Sequence, residues 1–181
     1  MNKPRFYTLI AFIIAALVGT GATFAYIVAS SHDVINTFTV GNVEISLNES
    51  TTNEFPLIPG ATYTKDPTVT VKAESLDCYL FIKVTPTADL HLYVDYKIDE
   101  GWTAVAGEAG VYYRKVFTAK SDSSFRILKD DTITIYENLD EETLSLIKIN
   151  PTLKFKAYAI QSDIINSPES AWNAIIAEKG E

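Results

Sequence analysis

Histidine and cysteine are the side chains most suited to binding transition metals or activating a nucleophile, and this sequence holds few of either. Its two histidines, His32 and His91, lie in different segments and form no His-Glu-x-x-His zinc motif. We expect both to be solvated surface side chains. The single cysteine, Cys78, has no motif-level partner for Cys–His catalysis and cannot form an intramolecular disulfide, so we expect a small buried hydrophobic residue. The sequence predicts no catalytic, cofactor-binding or metal-binding residue, and we expect a protein that is not an enzyme.

Carboxylates form three short clusters, and none of them has the spacing of an EF-hand loop. We interpret these clusters as solvated turns, with weak calcium binding as the alternative. The clusters are Asp99-Glu100, Asp130-Asp131 and Asp140-Glu141-Glu142.

The clearest prediction of chemistry concerns a reaction performed on this chain, namely cleavage of its own N-terminal segment. Lys3 and Arg5 precede an apolar run over residues 9–18, and a stretch of small residues follows. A basic N-terminal region, an apolar central region and small residues before the cleavage site are typical of a secretory signal peptide. We therefore assign residues 1–25 to a signal peptide helix and expect a secreted protein of the extracellular matrix or cell surface.

The predicted cleavage site is defined by Thr23 and Ala25, which fit the small side chains that a signal peptidase accepts at positions −3 and −1. Cleavage after Ala25 would make Tyr26 the first residue of the mature chain. The alternative is an uncleaved membrane anchor over residues 6–29, which just reaches the roughly 20 residues that a spanning helix needs. Residues 19–21 (Gly-Thr-Gly) would weaken that helix where the span has to continue.

Length and charge limit the remaining possibilities. The chain has 181 residues, so removal of residues 1–25 leaves 156, enough for one domain with a sizeable core. The net charge of −8 becomes −10 once Lys3 and Arg5 are removed. An acidic domain is a poor match for the phosphate backbone, and we expect no nucleic-acid partner. Contact with a membrane is expected only through the N-terminal signal or anchor.

Hydrophobic patterning after the signal predicts an all-β domain over residues 37–181. Many short β-branched or aromatic segments are separated by Gly, Pro and Asp turns, which is typical of a sandwich or jelly roll. We therefore predict a jelly-roll-like β-sandwich with a short C-terminal helix. The predicted strands cover two short segments within 37–47, then 68–73, 78–85, 90–98, 111–118, 125–128, 132–136 and 152–161.

Three local patterns make sharper predictions. Residues 78–85 are apolar on both faces, as expected for a central strand that is covered on both sides. Residues 90–98 alternate, which predicts a strand with one apolar face carrying residues 90, 92, 94, 96 and 98. Residues 139–147 suggest a brief helix.

The tail changes to a helical period. Ser167 can cap a helix, Pro168 suits its first turn, and Glu169 complements the positive end of the helix dipole. We predict an amphipathic helix over residues 168–178 whose apolar face packs on the sheets. That face carries Ala171, Trp172, Ile175 and Ile176.

Seven tyrosines fall in predicted strands, where we expect ordinary sheet packing, with a lateral assembly surface as the alternative. They are Tyr79, Tyr93, Tyr96, Tyr112, Tyr113, Tyr136 and Tyr158.

The segment of residues 26–36, directly after the predicted cleavage site, is a candidate for strand addition. An exposed apolar, strand-forming segment tends to pair with the edge of a sheet. It can do so on a second subunit, as a donor strand, or fold back as the first strand of its own domain, and the sequence leaves both open. The candidate donor residues are Tyr26, Ile27, Val28, Ala29 and Val34.

Taken together, these segments resemble the TasA/camelysin family of Firmicutes. The resemblance is most specific over residues 19–47, where the signal ends in Ala22-Thr23-Phe24-Ala25-Tyr26 and residues 36–43 read Asn-Thr-Phe-Thr-Val-Gly-Asn-Val. It extends through Pro59-Gly60 and the strand of residues 157–161 to Trp172.

The resemblance implies a secreted jelly-roll domain that is processed by a SipW-type signal peptidase and forms biofilm matrix fibres or surface filaments. In fibre-forming members, the mature N-terminus leaves its own subunit and completes the sheet of the next, and here that donor would be residues 26–34. The implied partners are further copies of this chain or related matrix subunits. Some relatives are described as metalloproteases, but this chain has no zinc motif to carry that activity.

Three hypotheses follow from the sequence. The first is a fibre-forming matrix protein that assembles by donor-strand exchange. The second is a monomeric surface binding module anchored by an uncleaved N-terminal helix. The third, which has the least support, is a secreted metalloprotease.

Overall fold

The computed structural model describes residues 39–40, 43–50, 55–87, 89–145, 151–163 and 165–179. The predicted signal peptide and the predicted donor segment lie outside these residues.

The described chain is built mainly of short β-strands, which agrees with the all-β prediction. Two short 3₁₀ turns, η1 (Leu90–Leu92) and η2 (Lys129–Asp131), interrupt the strands, and the helices are α1 (Glu141–Ser145) and α2 (Pro168–Lys179). The strands are β1 (Thr39–Val40), β2 (Ile45–Asn48), β3 (Thr62–Thr64), β4 (Thr68–Val71), β5 (Cys78–Pro86), β6 (Val94–Asp95), β7 (Thr103–Ala104), β8 (Val111–Val116), β9 (Ser123–Arg126), β10 (Thr132–Ile135) and β11 (Leu153–Gln161).

These strands form three sheets. The largest has five strands in the order β1-β11-β5-β8-β7, and the two others have the orders β3-β10-β6 and β2-β4-β9. Every pair is antiparallel except β1 with β11, which run parallel. Strands distant in sequence are neighbours in all three sheets, so the fold depends on long-range pairing.

The nine-residue strands β5 and β11 form the centre of the five-stranded sheet and pair along their whole length. Both faces of β5 are covered, as the apolar run of residues 78–85 predicted. Leu80 and Ile82 face the main hydrophobic core, whereas Tyr79 and Phe81 belong to a second cluster on the opposite face. This two-sided burial explains why residues 78–82 are all apolar.

The main core joins the three sheets. Val69 of β4 and Ile135 of β10 are almost fully buried in the same cluster as Leu80 of β5. Leu153, Phe155, Ala157 and Ala159 of β11 share that cluster, because alternate residues of a strand point to the same face.

Helix α2 covers the outer face of the five-stranded sheet, as predicted. The Ser167 hydroxyl accepts a hydrogen bond from the Ser170 backbone N–H at 3.1 Å, which caps the helix N-terminus. Trp172 is 2% exposed and its ring lies 5.5 Å from Phe81 and 5.3 Å from Tyr158, measured between ring centroids. Ala171 and Ile175 complete the buried face of the helix.

The prediction of a strand over residues 90–98 is wrong. The Leu90 N–H bonds to the Thr87 carbonyl at 3.1 Å and begins η1, which leaves only the two residues of β6 in a strand. The helical turn places Leu92 outside the core, so it is 52% exposed while Tyr93 is buried. The other residues of the predicted apolar face contribute to the main core, namely Leu90, Val94, Tyr96 and Ile98. The alternating pattern was compatible with a strand, but local hydrogen bonding decided the conformation.

Two smaller predictions are confirmed in part. Helix α1 begins as expected, with the Asp140 carboxylate accepting a hydrogen bond from the Thr143 N–H at 2.8 Å, and residues 146–147 lie outside the described part. Four of the seven tyrosines lie in strands, namely Tyr79, Tyr112, Tyr113 and Tyr158. The other three, Tyr93, Tyr96 and Tyr136, lie next to strands.

Candidate functional site

None of the residues that the sequence assigned to cleavage or strand donation is described in the structure. The structure therefore leaves these assignments as predictions. They are Thr23, Ala25, Tyr26, Ile27, Val28, Ala29 and Val34.

The described part nearest to the predicted donor segment is β1, and it lies on the edge of the five-stranded sheet. Thr39 pairs with Ala159 and Val40 pairs with Ile160 of β11, in parallel orientation. In the sequence, the predicted donor segment therefore ends shortly before a strand that lies on a sheet edge. We call the side of β11 that faces β1 the β11 edge.

Both faces of the sheet are buried at residues 157–160 of β11, whereas Lys154 is exposed and Lys156 is half-buried. On the core face, Ala157 and Ala159 carry small side chains that are 2% and 1% exposed. On the opposite face, Tyr158 and Ile160 pack into the cluster beneath α2. A strand that pairs with residues 157–160 is thereby flanked by the main core on one side and by the α2 cluster on the other.

A buried ion pair lies beside β11 on the core side. The Lys65 ammonium is 2.6 Å from the Glu49 carboxylate, and both side chains are almost completely buried, with 3% and 6% exposure. The Lys65 nitrogen is 5.6 Å from the ring centres of both Phe55 and Phe155, where the electron-rich ring faces attract a cation. Glu49 directly follows β2 and Lys65 directly follows β3, so this pair ties two sheets together at the position of Phe155 of β11.

The residues with catalytic potential are not assembled into a site. His91 is exposed on η1. Asp99 accepts a hydrogen bond from the Gly101 N–H at 3.1 Å, and Asp140 caps α1, so these carboxylates stabilise local turns. Within the described ranges, no group of three or more His, Cys, Asp or Glu residues could hold a metal ion.

No helix in the described part of the chain is long and apolar enough to cross a membrane.

Cys78 is fully buried at the start of β5, as predicted. Burial, together with the neighbouring Asp77 carboxylate, raises the pKa of the Cys78 thiol to about 12. Because the thiolate is the reactive form, we expect no labelling by iodoacetamide at pH 8 in the native protein. Full labelling is expected in 6 M guanidinium chloride. Mass spectrometry measures both, and rapid labelling of the native protein would contradict this burial.

Comparisons with family models, with curated proteins and with solved structures found no match to this chain. The structure defines its class, an all-β domain of three sheets with a C-terminal helix. The function must therefore be argued from the residues themselves.

Proposed function

We propose that this protein is a secreted structural subunit of the extracellular matrix or cell surface, that its domain is a jelly roll, and that it assembles into fibres by donor-strand exchange. After cleavage behind Ala25, residues 26–34 of one subunit would pair with the β11 edge of the next. The observation that carries this proposal is the position of β1, which connects the predicted donor segment to that edge.

The register of β1 on β11 makes the proposal specific. Each residue of β1 pairs with the residue 120 positions later in the chain. A strand continued in this parallel register toward the N-terminus would bring Val34 opposite Lys154 and residue 33 opposite Leu153, where β11 begins. Residues 26–32 would then extend beyond the end of β11. In the structure this register is formed within one chain, and donor-strand exchange would form it between the segment of one subunit and β11 of the next.

The surroundings of the β11 edge favour an apolar strand in that position. Paired residues of parallel strands point to the same face, so residue 33 would face the main core beside Leu153 and Val34 would lie on the opposite face beside the exposed Lys154. Backbone pairing would supply part of the binding energy and would tolerate many sequences. The buried apolar side chains would set the register.

A disulfide trap tests whether the donor strand pairs within or between subunits. One preparation carries Val34→Cys and the other carries Lys154→Cys, and the two are mixed under assembly conditions and then oxidised. The β1–β11 register lies within one chain, and donor-strand exchange would place the same register on the next subunit. In that case we expect a covalent dimer on a non-reducing gel that contains one copy of each variant, because positions 34 and 154 would be opposite each other across subunits.

The matched control is Ile35→Cys mixed with Lys154→Cys. Position 35 is one residue from position 34 but belongs to the opposite face of the strand, so little cross-linking is expected. If the double variant Val34→Cys/Lys154→Cys forms an internal disulfide in monomers and the mixed preparations form none, the segment folds back on its own domain, which contradicts donor-strand exchange.

Processing is tested separately. Replacing Ala25 with leucine is expected to block cleavage in a host with a SipW-type peptidase, because the −1 pocket admits only small side chains. Ala22→Leu, at position −4, is the control and should be processed. Intact-mass measurement of the exported protein distinguishes a chain beginning at Tyr26 from an uncleaved one. An uncleaved wild-type chain held in the membrane fraction would favour the anchored monomer instead.

A further inference from the structure

A cavity on the surface of the sheet β3-β10-β6 arises from unequal chain lengths. Asp95 pairs with Thr134, and the next bridge joins Ile98 to Leu128. Two residues (96 and 97) separate these pairings on one segment, whereas five (129–133) separate them on the other. The additional residues include η2, and the cavity is lined by residues of both segments.

The wall formed by η2 is held firmly in place. The Lys129 N–H bonds to the Lys97 carbonyl at 2.8 Å, and the Asp131 carbonyl accepts the Lys65 N–H at 2.7 Å. Asp130 and Asp131 both have left-handed backbone conformations, with φ of 56° and 52°, which cost about 1–3 kcal/mol each for residues other than glycine. The cavity is therefore preformed by a backbone that is fixed on both sides.

The cavity has a volume of about 200 Å³, and its lining is mainly polar. This volume is below the range of about 300–1,000 Å³ that is typical of sites for drug-sized ligands, so it suits a single small ring. The lining residues are Asp95, Tyr96, Lys97, Lys129, Asp130, Thr132 and Thr134.

The charges of the lining restrict the chemistry of a ligand. Asp95 and Asp130 would repel an anion, and Lys97 and Lys129 would repel a cation. Neither sign of ligand charge is therefore favoured. The Lys129 ammonium is also held by Glu100 at 2.7 Å. Carboxylates accept hydrogen bonds, ammonium groups donate them and threonine hydroxyls do both, which matches a ring of hydroxyl groups.

We propose that this cavity binds one ring of a neutral, hydroxyl-rich carbohydrate. The Asp95 and Asp130 carboxylates accept hydrogen bonds from sugar hydroxyls. The Lys97 ammonium donates to sugar oxygens, and the Thr132 hydroxyl donates or accepts. The open side of the cavity leaves room for the rest of a glycan chain. This inference is independent of fibre formation, since it uses none of the residues of the β11 edge.

The test is a glycan array carrying neutral, acidic and sulfated oligosaccharides, probed with the purified labelled protein and followed by calorimetric titration of the strongest neutral binder. The informative variant is Asp130→Gly. Glycine adopts the left-handed backbone readily, so this change removes the carboxylate without disturbing η2. We expect its affinity for the neutral glycan to fall about tenfold or more, the loss expected for one or two charge-assisted hydrogen bonds.

The matched control is Asp131→Gly, which changes the neighbouring residue of the same turn, also at positive φ, outside the cavity lining. Its affinity should stay within about twofold of the wild type. Three results would overturn the proposal: no neutral glycan bound by the wild type, equal binding by Asp130→Gly, or binding confined to charged glycans.

Discussion

Replacing Lys65 with alanine is expected to lower the free energy of unfolding by about 3–5 kcal/mol. The reason is that the Glu49 carboxylate, with 6% exposure, would stay buried without its 2.6 Å partner. The cation–π contacts of the Lys65 ammonium with Phe55 and Phe155 would also be lost. Urea denaturation measures the change, provided that the slope with denaturant stays constant.

The matched control is Lys72→Ala, which breaks an exposed lysine–carboxylate pair of similar length, 3.0 Å to Asp122. Because both of those side chains are about half exposed, we expect a loss of about 1 kcal/mol or less. The double variant Lys65→Met/Glu49→Leu removes both buried charges and should recover much of the stability lost in Lys65→Ala. Equal losses for Lys65→Ala and Lys72→Ala would contradict burial of the Lys65 pair.

Replacing Trp172 with alanine should destabilise the protein by about 3–5 kcal/mol, the range for removing a buried aromatic side chain. Trp172 fills the space between α2 and the five-stranded sheet, against Phe81 and Tyr158. Thermal unfolding followed by near-ultraviolet circular dichroism reports this loss as a lower melting temperature.

Two further variants separate packing from helix propensity. Asn173→Ala changes an exposed neighbour on α2 and should alter stability by less than about 0.5 kcal/mol. Trp172→Phe should have a smaller effect than Trp172→Ala, because an aromatic ring remains in the buried position. It also removes the buried indole N–H, which has no hydrogen-bond partner among the described residues. A Trp172→Ala variant as stable as Asn173→Ala would show that α2 does not pack on the sheet.

The sequence predicted those elements whose signals are local. Strand β4 follows from its alternating threonine and valine residues, β5 from its continuous apolar run, and the start of α2 from Ser167 and Pro168. Each signal lies within a few residues of the element it defines. The boundaries of the predicted and observed elements accordingly differ by few residues.

Features that depend on distant residues were missed. Lys65 lies in a polar segment typical of an exposed loop, and its burial depends on Glu49 and on Phe155, which is 90 positions later in the chain. The contact between β1 and β11 and the cavity beside η2 likewise arise from pairings that no local pattern encodes. At residues 90–92, a helical turn replaced a strand that the alternating pattern favoured.

Negative-stain electron microscopy of purified protein beginning at Tyr26, incubated at high concentration, tests the proposed assembly most directly. We expect regular filaments from this protein and only folded monomers from a matched protein lacking residues 26–31. The circular dichroism spectra of the two proteins should be the same, since the deletion removes no described strand. Persistent monomers of the longer protein, or equal filament yield from the shorter one, would contradict assembly through the N-terminal strand.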